Sequence, residues 1–324
     1  MQFEEWPEAM KVYDKRMTEL FGIQSPSWSQ TGNTLSVSFS KGNHGFKDSK
    51  YFLEPKGQVF SHLTSYRGLF GIINSGSFRL YNLHNSNDPN ELFSLKGVPT
   101  YGDAAENVKQ YIHTFSFCRP ETIENPKMWE EYGQVAINFE IVNDSMTWDF
   151  YRLSPMHYGE NTLIPMYSEL LDELHQSYPD WHFEPHLESL LSLLSFHKEG
   201  KHEHEQEIRL LHIPFLFDDE GTAQYDFRVS EYRTGLTKFV EVPLFVGDEA
   251  KPLISKVKRH DPPPEDNSRP LIKITSIEFG DNEPNFQKET FTDVGYELED
   301  YLVAKFGYPI EVKAELFKTG VAKS

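Results

Sequence analysis

The chain of 324 residues has one cysteine, Cys118. That excludes an intrachain disulfide and any zinc site built on several cysteines, and it suits a reducing cytoplasm. Basic residues are scarce: 31 Lys plus Arg stand against 50 Asp plus Glu, a net charge of −19. A chain this acidic has no overall attraction for a polyanion, so any nucleic-acid contact needs a local basic patch. No apolar run approaches the ~18 residues of a membrane helix. The acidic start, Met1 to Trp6, lacks the basic-then-apolar pattern of a secretory signal. A cytoplasmic protein with no membrane partner is the expectation. Glycine-rich phosphate loops of either common pattern are absent, as is a G-x-S-x-G turn.

What is present is packing material. The 25 Phe and 16 Tyr, with 38% hydrophobic residues overall, are too many for a disordered chain. A folded chain of this length buries roughly 75% of its unfolded surface, enough for one large core or two modest ones.

The patterning predicts a helix over 4–21, where Met10, Tyr13, Met17, Leu20 and Phe21 recur among charges. A turn-rich break over 25–33, a strand over 35–39 and a turn at Gly42–Gly45 follow. Residues 1–56 read as an N-terminal extension, and 57–320 as the main domain. In that domain, strands are expected at 59–64, 77–81, 111–118, 135–141, 203–213, 239–246, 271–279 and 309–316. Helices are expected at 66–74, capped by Gly76, and at 126–132, 165–176, 185–196 and 291–306. The segment 260–267 (HDPPPEDN) reads as a loop. Strands and helices mix without regular βαβ alternation, which favours α+β.

Three stretches could carry chemistry. In the first, His62 sits inside an apolar strand just before a helix. A polar group there needs a partner, so His62 is either a satisfied core histidine or a ligand-facing one. In the second, Trp129 and Tyr132 lie three apart on one helix face, as core or as walls of a pocket for a flat ring. In the third, HEHEQEIRLL, a strand would place Glu203, Glu205, Glu207 and Arg209 on one face. Glu207 and Arg209 fall where the strand turns apolar, as expected of a site or a buried ion pair. His202 and His204 have the spacing of paired metal ligands, but no further ligands are spaced to complete a site, so no metal is expected. Cys118 beside Arg119 is either an activated thiol or core.

In this order the stretches resemble DUF2971, a bacterial family defined only as a domain of unknown function. The likeness rests on His62-Leu63-Thr64, Gly76 with Phe78-Arg79-Leu80, Asn87-Asp88-Pro89 with Glu91, Phe115-Ser116, Met128-Trp129 with Tyr132, Glu205 with Glu207 and Arg209, and Ile274, Ile277, Phe279 and Gly280. Gly307-Tyr308 with Ile310-Glu311-Val312 closes the series. The resemblance spans about residues 58–320. Gly133 and Gln134 replace a longer H-x-G segment of the family.

The arrangement is more remotely similar to ADP-ribosyltransferases. That similarity implies a split mixed or antiparallel sheet with flanking helices, and NAD as substrate. It implies Glu207 as the catalytic carboxylate and Glu205 as activator of the acceptor, a protein or a nucleic acid. For NAD binding it implies His62, Thr64, Arg67, Arg79, Tyr111, Ser116 and Trp129. A toxin or phage-defence effector is the implied setting. Two other classes stay open: a non-catalytic nucleotide sensor, and a metal-dependent nuclease using Asp88, Glu91, Glu205 and Glu207.

Overall fold

The computed structural model describes residues 7–24, 27–38, 44–83, 109, 111–148, 150–159, 162–185, 187–213, 226–229, 236–247, 269–280 and 288–313. In chain order it runs α1 (Glu8–Phe21), β1 (Ser27–Thr31), β2 (Thr34–Ser38), α2 (His44–Lys47), β3 (Val59–Thr64), α3 (Tyr66–Ser75), β4 (Ser77–Asn82) and β5 (His113–Phe117). Next come α4 (Pro126–Tyr132), β6 (Val135–Ile141), β7 (Tyr151–Pro155), β8 (His157–Tyr158), α5 (Leu163–Ser177), β9 (His182–Pro185), α6 (Leu187–Leu194), β10 (His197–Lys198) and β11 (Ile208–His212). The last elements are β12 (Asp226–Val229), β13 (Leu236–Pro243), β14 (Ile272–Phe279), α7 (Lys288–Phe306) and β15 (Glu311–Lys313). The class is α+β.

Two sheets frame the molecule. One is antiparallel, in the order β12-β13-β4-β5-β11-β7. The other is mixed, in the order β15-β14-β6-β3. Their facing sides close over a phenylalanine core. Phe60, Phe78, Phe115, Phe117 and Phe139 are all buried, with neighbouring rings 4.6–5.8 Å apart. Strand alternation sends Phe115 and Leu210 into this core and Leu211 to the far side of the same sheet. The sheets are linked by two isolated bridges, Ser61 to Cys118 and Leu244 to Ile272.

A second core covers the far side. It joins Met10, Tyr13, Met17 and Phe21 of α1 with Tyr167, Leu170 and Leu174 of α5 and with Leu211 of β11. The α1 residues recur every three or four positions, which makes one apolar stripe. The segment read as an extension therefore shares a core with residues 156–213, and β2 pairs in parallel with β9.

Local signals explain many elements. Ser65 caps α3 by accepting a bond from the Gly68 N–H at 3.1 Å, and Gly76 ends the helix with φ 66°. Other expectations need correction. The break at 25–33 contains β1, and α2 occupies the end of the expected turn at Gly42–Gly45. β7 went unread because it ends in proline, which a strand tolerates at a sheet edge, and β7 is an edge. The expected strand over 203–213 begins only at Ile208. Residues Gly200–Glu205 instead form a 3-10 turn, which ends at Gln206 with φ 40°. The run GKHEHE has no apolar residue to bury on a strand face, and the tighter turn lets His202 meet Glu205.

Candidate functional site

β4 pairs with β5 only at Tyr81–Thr114 and Asn82–His113. Beyond that point β5 leaves β4, and the bridge to β3 forms at Cys118. Ser116 lies in this parting between the sheets and is exposed. Its side chain points away from the phenylalanine core, because Phe115 and Phe117 on either side point into it.

Beneath Ser116 lies a carboxylate pair. The Ser116 hydroxyl donates to Glu207 Oε1 at 2.5 Å, and Arg209 Nε donates to the same oxygen at 2.8 Å. Arg209 is the register partner of Ser116 on the next strand, which sets this approach. The guanidinium also donates through Nη1 to the Ser195 carbonyl at 2.8 Å. Lys198 Nζ donates to Glu207 Oε2 at 3.1 Å and to Glu205 Oε2 at 2.5 Å. Glu205 Oε1 accepts from the Tyr132 hydroxyl at 2.7 Å and lies 2.9 Å from His202 Nδ1. The Glu207 backbone N–H donates to the Tyr158 hydroxyl at 2.7 Å.

Glu205, Glu207 and Arg209 are all buried, yet their charges balance: two carboxylates meet one ammonium and one guanidinium. Burial by itself would raise the Glu207 pKa. The adjacent Arg209 and Lys198 charges and the bonds from Arg209 and Ser116 outweigh it and bring the pKa down to about 2. Burial pulls the Lys198 pKa down, but Glu207 and Glu205 more than restore it, so the ammonium stays charged. Burial and the bond to Glu205 keep the Tyr132 phenol protonated.

His62 approaches from the other side. Its ring lies 4.5 Å from Phe115, and its Nδ1 is 3.0 Å from the Ser116 carbonyl. Burial lowers its pKa to about 4, partly offset by that bond, so the ring is neutral at pH 7. A neutral ring whose Nδ1–H donates to a carbonyl keeps Nε2 as an acceptor. His62 of β3 and Glu207, just before β11, are thus both bonded to Ser116 of β5, one at its carbonyl and the other at its hydroxyl.

The remaining named residues divide. Glu205 joins Glu207 through Lys198. Thr64 ends β3, and its carbonyl accepts from the Gln134 N–H at 3.1 Å. Arg67 is exposed in the first turn of α3. Arg79 pairs with Glu241 at 3.2 Å and lies over the Phe239 ring, so its carboxylate partner is on β13. Tyr111 stands in the turn before β5, at the His113 end of that strand, whereas Ser116 lies near its other end. Trp129 is buried: its indole donates to the Ile123 carbonyl at 2.6 Å, and its ring fills the space where a Gly280 side chain would stand. Tyr132, by contrast, is exposed at 39% and holds Glu205. Tyr111 and Trp129 therefore do not meet the carboxylate pair.

Cys118 is buried, and burial pushes its thiol up to about 12, which is the core reading of that residue and not the activated one. His202 and His204 each face a glutamate, Glu205 and Glu131. No group of three or more metal-ligating side chains converges among the described residues. Asp88 and Glu91 lie outside them, as do the other residues of the N-D-P-x-E stretch. Among the described residues no helix is long and apolar enough to cross a membrane.

Sequence reasoning missed Lys198 and Tyr158. Both stand on strands of two residues, too short to leave a periodic signal. The chain matches no protein-family model, no curated protein and no solved structure.

Proposed function

We propose that the chain is an ADP-ribosyltransferase-like enzyme that uses NAD as substrate, with Glu207 as its catalytic carboxylate. The observation that carries this reading is that His62 and Glu207 both bond to Ser116 at the parting of the two sheets. Breaking the bond between ribose and nicotinamide sends the electron pair to nicotinamide and leaves a sugar with oxocarbenium character. An ionised carboxylate bonded to the ribose 2′-hydroxyl stabilises that charge more than it stabilises the ground state. Glu207 suits the role because its two cations keep it ionised. The Ser116 hydroxyl is neutral and exposed, so a ribose hydroxyl can replace its bond to Oε1 while Arg209 and Lys198 stay in place. His62 offers Nε2 to the other ribose. Glu205 is the base for an acceptor, either protein or nucleic acid, and its other contacts fix it beside Glu207. A bacterial toxin or phage-defence role is the setting that the family resemblance implies.

The test is nicotinamide release from NAD, with ADP-ribose transfer followed in parallel. Glu207→Gln should lower release by about 10²-fold or more while the circular dichroism spectrum is kept. Wild-type release in that variant would sink the assignment. One observation favours a second reading, a nucleotide sensor without turnover: both carboxylates already carry cationic partners, as in a structural ion network. Thermal stabilisation by ADP-ribose with no nicotinamide release would favour it.

A further inference from the structure

β8 and β10 form a parallel ribbon only two residues long, with His157 opposite His197 and Tyr158 opposite Lys198. Successive side chains on a strand point to opposite sides. Tyr158 and Lys198 therefore share one face, and both hold the carboxylate pair: Tyr158 by the Glu207 N–H, Lys198 by Glu205 and Glu207. His157 and His197 share the other face. Backbone bonds hold the ribbon from His157 N–H to the Phe196 carbonyl at 2.8 Å, from Gly159 N–H to the Lys198 carbonyl at 3.2 Å and from Met156 N–H to the Glu207 carbonyl at 2.8 Å, and the contacts of its back face add to these.

The back face meets Tyr51. This residue is fully buried, with its hydroxyl 3.0 Å from His197 Nε2. Its ring centroid is 5.0 Å from that of His157 and 5.8 Å from that of His197, and the two imidazoles are 5.3 Å apart. Burial lowers the pKa of His157 to about 4 and of His197 to about 3, so both are neutral at pH 7. Tyr51 is itself anchored: Leu53, two residues on, donates its N–H to the Leu153 carbonyl of β7 at 3.0 Å.

We infer that Tyr51, from the N-terminal segment, is a positioning residue for the carboxylate site: through its bond to His197 it sets the ribbon that presents Lys198 and Tyr158 to Glu205 and Glu207. Tyr51 then completes the site from behind. The inference rests on the transferase reading only for its activity arm.

The test compares Tyr51→Phe with Tyr13→Phe in the full chain. Both remove one buried hydroxyl from the same core, since Tyr13 of α1 meets the Tyr167 hydroxyl of α5 at 3.3 Å. The first readout is the ¹⁵N–¹H signal of the Lys198 ammonium, assigned by its loss in Lys198→Arg. The second is nicotinamide release. Tyr51→Phe should shift the ammonium signal and lower release about tenfold, since small misplacements of reacting groups cost rate steeply. Tyr13→Phe should do neither. His197→Asn is a second variant with the same expected result, should Tyr51→Phe fold poorly. An unmoved Lys198 signal in Tyr51→Phe or His197→Asn overturns the inference, whatever the activity. If the wild-type protein releases no nicotinamide, the transferase reading fails, and the ammonium signal still decides the role of Tyr51.

Discussion

Strands β5 and β11 run side by side and carry a cluster with buried ionisable groups at each end, and the two ends solve the same problem differently. At one end Ser116 and Arg209 are register partners, with Glu207 just beyond. There the groups are charged, and each charge has a counter-charge within 3.1 Å. At the other end His113 and His212 are register partners, both buried, with Tyr151 next in the same row. Here His212 gives up its charge. Burial, with His113 and Arg269 nearby, brings the His212 pKa down to about 3, and His212 Nδ1 has no hydrogen-bond partner among the described residues. A buried group either keeps its charge and acquires opposite charges, or gives up the charge. The first solution preserves a carboxylate able to stabilise positive charge. The second leaves an uncharged His212 ring that acid can force open.

Three changes would break or sharpen this contrast. The largest effect is expected from Arg209→Met, which leaves Glu207 buried with one cation. Removing one partner of a buried pair costs about 3–5 kcal/mol, to be read by urea unfolding at pH 7. A loss under about 1 kcal/mol would mean that Lys198 alone suffices.

The second is a pH dependence. His212 has its ordinary value near 6.5 when unfolded and about 3 when folded, so the unfolded chain binds the proton more readily. Its contribution to stability is fully present above about pH 6.5 and is lost progressively as pH falls toward 3. Glu207 is depressed from 4.5 to about 2, so its contribution is present above pH 4.5 and is lost below it. Between pH 6.5 and 4.5, therefore, the histidine end titrates and the glutamate end does not. His212→Phe should reduce the stability lost between pH 7 and pH 5 by about 2 kcal/mol. His62, His157 and His197 keep their share of the loss. An unchanged pH slope would remove His212 from the account.

The smallest effect is expected from Tyr158→Phe. It removes the acceptor for the Glu207 N–H, worth about 1 kcal/mol. Amide exchange at Glu207 should quicken while exchange in β5 stays unchanged.

The legibility of the site varied residue by residue. Glu207 and Arg209 stood out because charged residues entered an apolar strand. His62 stood out for the same reason. Sequence alternation puts Glu205 on a strand face and the structure puts it on a 3-10 turn, yet it joins Glu207 because Lys198 spans both carboxylates. Trp129 and Tyr132 were read as sharing a helix face. In a helix of seven residues the last one overhangs the end, so Tyr132 leaves the core that Trp129 fills. Arg79 read as a partner for an anion in the site, but on β4 it alternates outward between Phe78 and Leu80 and meets Glu241 instead.

Composition and periodicity determined the α+β class, most of the longer helices and strands, and the few polar residues that enter apolar ones. Those are properties of neighbours in sequence: the pitch of a helix, the alternation of a strand, the backbone needs of Gly76. The Glu207–Arg209 pair is local, two residues apart, but the tertiary structure alone decided that Lys198 and Tyr158 meet it. Lys198 and Tyr158 reach the carboxylates because a two-residue ribbon, braced by Tyr51, 146 residues before its partner His197, turns them toward Glu205 and Glu207. No local pattern encodes a pairing of that kind, because it depends on the packing of segments whose separation in sequence leaves no period to read.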